Sequence, residues 1–180
     1  MKQFFKFVFI GILFAAPGEF LGHIIIHNSW YSYFLTMLSY AIFYLPLFYI
    51  LSSFFKKIIK NEFNWTLFCY IFFGLFGLGV EWFLIHNSPW ENPGASQVGM
   101  FTFWATLFIG PTILVNLPLA SKLKQNFLRY WIFYSLIFVL PPLIFHSGKI
   151  IYLSIIVYSF GIWIFNYFYI RYLYFLKHRT

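Results

Sequence analysis

The chain has 180 residues, of which 62% are hydrophobic and only 9% charged. A soluble domain carries about 25% charged residues, so no water-soluble globular fold could cover this much apolar surface. The formal charge of +8 does not point to nucleic acid, because the bases are spread over short loops and chain ends instead of forming one patch.

The first residues, MKQFFKFVFIGILFAAPGEF, imitate a secretory signal, with a basic start, an apolar core and the small pair Ala15-Ala16. Phe14 stands where a cleavage site wants a small residue, and the apolar stretch resumes at Phe20 and runs to Ile26. The segment therefore reads as a retained signal-anchor helix.

A spanning helix needs about 20 mostly apolar residues. Six segments qualify, at 4–26, 31–54, 63–86, 98–119, 127–145 and 150–175. Their apolar runs are continuous, whereas a membrane barrel alternates apolar and polar residues. Backbone groups in lipid must be satisfied within the segment, which leaves helices. The expected fold is an all-α integral membrane six-helix bundle, residues 1–180 forming one domain.

Eleven of the twelve Lys and Arg residues sit in four clusters between or beyond these spans. The clusters are Lys2 and Lys6; Lys56, Lys57 and Lys60; Lys122, Lys124 and Arg129; and Arg171, Lys177 and Arg179. The opposite loops hold only Lys149. This asymmetry predicts an inner-membrane protein, bacterial or equivalent, with both termini cytoplasmic. Tyr and Trp gather near span ends, at Trp30, Tyr31 and Tyr33 and at Tyr167, Tyr169, Tyr172 and Tyr174, as interfacial anchors do. The lone Cys69 lies among apolar neighbours and reads as a buried thiol.

Pro17, Pro46, Pro111 and the pair Pro141-Pro142 fall inside or near the ends of helices, where a missing donor tends to kink them. Gly74, Gly77 and Gly79 crowd the third span and should let another helix approach closely. The three outer turns read His27-Asn28-Ser29, His86-Asn87-Ser88 and His146-Ser147-Gly148, spaced by 59 and 60 residues. That spacing raises three repeated helical hairpins as a candidate architecture, a construction frequent among transporters. The outer loop after the third span should turn sharply at Asn92-Pro93-Gly94.

The acids carry the functional signal. Glu19 and Glu81 lie within apolar spans, a costly depth that marks a functional-site candidate. Glu19, His23 and His27 follow at four-residue spacing and share one stripe of the first helix. If the first and third helices touch, Glu19, His23, Glu81 and His86 share a pocket that His146 caps. Such a set suits three chemistries. It can relay protons during ion or solute transport, bind a divalent transition metal such as zinc, iron or manganese, or ligate a haem less readily. The structural alternative is that these groups cap helices and hydrogen-bond between them, as Asn116 and Asn166 are expected to do.

No Gly-rich phosphate loop, no G-x-S-x-G elbow and no mid-span lysine is found, which leans away from an enzyme. The leading expectation is a small transporter or channel-like protein whose Glu/His pocket opens to the outer side. A membrane metalloenzyme or haem protein, and a non-catalytic membrane subunit, are the alternatives. The partners expected are the lipid bilayer, a small ion or solute, and a second copy or another membrane chain, with no nucleic acid.

Overall fold

The computed structural model describes residues 1–91, 97–116 and 121–177. Among these residues every regular element is a helix. In chain order they are α1 (Lys2–Glu19), a first π-helical segment (Phe20–Ile26), α2 (Trp30–Ser39), a second π segment (Tyr40–Tyr44) and α3 (Leu45–Ile58). Then come α4 (Glu62–Phe83), α5 (Gln97–Pro111), a third π segment (Thr112–Asn116), α6 (Ser121–Phe145) and α7 (Gly148–Lys177). End to end, they make 6 helices long and apolar enough to cross a membrane: Lys2–Ile26, Trp30–Ile58, Glu62–Phe83, Gln97–Asn116, Lys124–Phe145 and Gly148–Phe175. The predicted turn at Asn92-Pro93-Gly94 and the end of the fourth predicted span lie outside the described residues.

Local chemistry sets the helix ends. Ser29 caps α2 by accepting the Ser32 N–H at 3.2 Å, and Asn61 caps α4 by accepting the Asn64 N–H at 3.0 Å. Glu62 in the first turn of α4, and Lys56 and Lys57 in the last turn of α3, complement the helix dipoles. The third long helix stops at Phe83, short of the expected His86. Leu84 and Ile85 both turn their N–H groups back to the Val80 carbonyl, and His86 adopts a φ of 61°. Left-handed backbone also closes the other two turns, at Asn28 (φ 49°) and His146 (φ 46°). Asn and His tolerate this conformation better than most residues with a side chain.

The prolines act on the ladder in different ways. Each π segment lies within three residues of a proline: Pro17 precedes the first, Pro46 follows the second and Pro111 precedes the third. A π segment closes i→i+5 bonds, as His27 N–H to the Gly22 carbonyl at 3.2 Å does, and such segments recur at functional sites. Pro141 and Pro142, by contrast, sit inside α6, which stays α-helical to Phe145.

The described residues form two compact units. The first comprises Met1–Leu47 and Gly110–Gly161 and holds all three π segments. Its core includes the fully buried Phe7, Phe14, Leu45, Trp131 and Phe138. Phe14 stacks on Trp131 with ring centroids 4.4 Å apart and planes 15° apart. Pro17 has no N–H, so the Leu13 carbonyl four residues earlier receives no helical donor. The Trp131 indole N–H donates to that carbonyl at 3.0 Å.

The second unit comprises Phe48–Ile109 and Ile162–Thr180. Phe73 lies at its centre, 4.3 Å from Phe48 and 4.7 Å from Phe108 between ring centroids. Trp65 donates to the Ser52 carbonyl at 2.8 Å, and the Lys56 ammonium sits 4.9 Å above its ring. Cys69 is buried here, as its apolar neighbours suggested. Asn166 ties α7 to α5, donating to Thr106 Oγ1 at 3.3 Å as well as to the Ile162 carbonyl at 2.7 Å. Gly77 is the position where close approach is decisive, because a Cβ there would run into the Trp104 ring. Gly74 makes similar room for Phe101, whereas Gly79, expected to do likewise, has nothing within 4 Å of where a Cβ would be.

Candidate functional site

The first unit gathers a polar cluster at the junction of α1 and the first π segment. Glu19 ends α1, and His23 follows one turn later inside the π segment. The His23 Nε2 lies 3.1 Å from Glu19 Oε2. The other carboxylate oxygen, Oε1, accepts the Tyr40 hydroxyl at 2.7 Å. Thr36 Oγ1 reaches the same His23 nitrogen at 3.2 Å. Tyr40 opens the second π segment, and α1 packs against both the second and third π segments. The cluster is graded in exposure: the His23 side chain is 29% accessible and the Glu19 side chain 14%. A proton on His23 thus has a route outward, while the carboxylate behind it is screened from solvent. Carboxylate and imidazole in hydrogen-bond contact can exchange one proton, and each stabilises the other's charged form.

Glu81 has different company. Its Oε1 accepts the Trp104 indole N–H at 3.0 Å, and its Oε2 accepts the Asn87 amide at 2.9 Å. The Asn87 backbone N–H bonds the Glu81 carbonyl at 2.8 Å. Gln97, at the start of α5, accepts from the Trp82 indole at 2.5 Å and donates to the Asn87 carbonyl at 3.2 Å. Gly77 and Glu81 are four residues apart on one face of α4, so the ring that lies over Gly77 delivers its N–H to Glu81. This network fastens the end of α4 to the start of α5.

The six residues singled out from the sequence therefore divide. Glu19 and His23 come together. Glu81 joins Trp104 and Asn87. His86 is 3.3 Å from Glu91, both at the surface. His27 and His146 are exposed turn residues. Glu19 and Glu81 belong to different units. Among the described residues, no three His, Cys, Asp or Glu side chains form a group that could hold a metal ion. Tyr40, Thr36 and Trp104 were not foreseen as site residues. Their signal was a polar handle well inside an apolar span, away from the ends where anchoring explains Tyr and Trp.

Outside the spans, the Ser88 hydroxyl and then His86 hold the Glu91 carboxyl below its ordinary value of 4.5. The hydroxyl donates to Glu91 Oε2 at 2.6 Å. A depressed carboxyl pKa stabilises the fold above the unfolded value and loses that effect as pH falls through the folded one. The His86–Glu91–Ser88 turn should accordingly hold above about pH 4.5 and open on further acidification. Hydrogen exchange at the Glu91 amide, which bonds the Ser88 carbonyl at 3.2 Å, should show protection falling below that pH. Glu91→Gln should flatten the profile, and flat protection in the native chain would count against this account.

No protein-family model matches this chain, and no curated protein or solved structure matches it either. The fold and the cluster together define an all-helical protein of long apolar helices with a carboxylate–imidazole pair set into the first of them.

Proposed function

We propose that the chain is an integral membrane protein with both termini cytoplasmic, and that it carries protons or a small cation through the Glu19 cluster. Six helices of sufficient length and apolarity support insertion. The concentration of Lys and Arg at alternate helix ends supports the orientation. The observation that carries the functional reading is the 3.1 Å Glu19–His23 pair, braced by Tyr40, inside a long apolar helix. Ionisable groups at such depth are costly and rarely retained for packing alone. A proton is the cargo best supported. The pair is graded from a more accessible imidazole to a less accessible carboxylate, whereas a metal or haem has no three-residue donor group among the described residues.

Proteoliposomes under an imposed pH gradient test this reading. Glu19→Gln keeps the side-chain shape and the Tyr40 contact but cannot ionise. Its proton flux should fall about a hundredfold, with an unchanged circular dichroism spectrum. Native flux in this variant would sink the proposal.

A further inference from the structure

The first unit holds a buried hydroxyl that the Glu19–His23–Tyr40–Thr36 cluster does not use. Tyr158, on α7, buries its hydroxyl, and no described protein atom hydrogen-bonds to it. Its ring rests on Phe138 with centroids 4.9 Å apart, which fixes its direction. The hydroxyl fills the space that a Cβ on Gly18 would take, next in sequence to Glu19. It also lies within electrostatic reach of the Glu19 carboxylate. Gly18 thus admits the Tyr158 hydroxyl to the neighbourhood of the acid. The carboxylate has capacity left: Tyr40 and His23 take one site on each oxygen, and an ionised carboxylate offers about four.

A buried hydroxyl without a protein partner calls for another one, and internal water commonly supplies it where polar groups converge. Tyr158 is also deeper than His23. Ten residues of α7 separate it from Gly148, roughly 15 Å along the helix, against about 6 Å between His23 and the end of the first span at His27.

We propose that Tyr158 is the inward proton-transfer partner of Glu19, joined to its carboxylate by one internal water. This rests on the proton-carrying reading of the Glu19 cluster. The transfer balances as follows. Imidazolium His23 gives its Nε2 proton to Glu19, forming the neutral acid. The acid gives a proton to the bridging water, and that water passes one of its own to the Tyr158 oxygen. Tyr158 simultaneously releases its original hydroxyl proton to water on the inner side. The tyrosine gains one proton and loses one, so it never needs to ionise. Glu19 returns to carboxylate and His23 to neutral imidazole.

Tyr158→Phe tests the step with little risk to the fold, since it removes a hydroxyl that has no protein partner and keeps the ring on Phe138. In proteoliposomes its proton flux should fall by about tenfold or more. In detergent, the infrared carboxyl band of Glu19, assigned by its loss in Glu19→Gln, should shift, because the carboxyl loses its water-bridged neighbour. Native flux in Tyr158→Phe beside slowed flux in Glu19→Gln would overturn this inference and leave the Glu19 reading standing. Native flux in both variants would overturn the two together. An unshifted Glu19 band in Tyr158→Phe would count against the water bridge even if the variant could not be reconstituted.

Discussion

Trp104→Ala should destabilise the protein by about 3–5 kcal/mol, as truncation of a buried tryptophan does. Trp104 is only 1% exposed. Its ring occupies the space that Gly77 leaves open and meets Phe48 edge-on, with centroids 6.2 Å apart. Truncation would empty that space and strip Glu81 of one of its two side-chain donors. Trp104→Phe separates the two effects. It keeps most of the ring but loses the N–H, and should cost about 1–3 kcal/mol. Equilibrium unfolding in mild detergent measures both. If the two variants cost the same, packing over Gly77 contributes nothing beyond the hydrogen bond, and the account of this face is wrong.

Trp131→Ala should cost a similar amount, about 3–5 kcal/mol, for a related reason. It removes the stack on Phe14 and the only donor assigned to the Leu13 carbonyl that Pro17 leaves unserved. The proline makes a sharper experiment available. Trp131→Phe alone should cost about 1–3 kcal/mol, because that carbonyl is left without a donor. In a Pro17→Ala background the helix supplies its own N–H to Leu13, and Trp131→Phe should then cost less. The coupling in this double-mutant cycle should be about 1 kcal/mol or more. Additive costs would mean that the indole is not standing in for the missing backbone donor.

Much of the helical architecture was legible because its cause is local. Continuous apolar runs of spanning length required helices, and six long apolar helices are found. Ser29 and Asn61 sit just ahead of apolar runs, where capping residues are expected, and both cap. The third helix ends early because His86 takes a left-handed backbone, and nothing in an apolar run announces that. The same fact bears on the recurring histidines. His86 and His146 occupy positive-φ turn positions, while in the first turn Asn28 takes that role and His27 does not. Turn chemistry is thus sufficient reason for two of the three, without invoking a repeat.

The candidate site was legible in part. The four-residue step from Glu19 to His23 identified a pair, because that spacing is short enough for one helix to settle by itself. The neighbours of Glu81 depended on which helix face Gly77 opens and on how far the Trp104 indole reaches, and neither is a property of one segment. Gly74, Gly77 and Gly79 look alike in sequence, yet only the first two admit a ring. The π segments left no periodic signal because each is short, although the prolines beside them marked the places.

Those segments have a consequence for how this chain tolerates changes in length. A π turn amounts to one residue more than an α turn spanning the same path. The first unit therefore has three places, at Phe20–Ile26, Tyr40–Tyr44 and Thr112–Asn116, where one residue can be deleted and the helix rewound without a break. Rewinding rotates everything beyond it by about 100°. A deletion in the first segment would turn the helix after Glu19 and dismantle its contacts while leaving a long apolar helix in place. In α4, wound as α-helix throughout, the same deletion has no slack to remove and would rotate Glu81 away from Trp104 or Gly77. The Glu19 cluster thus sits where the chain can gain or lose a residue and stay helical, so single-residue gaps there would abolish the site before they abolish the fold.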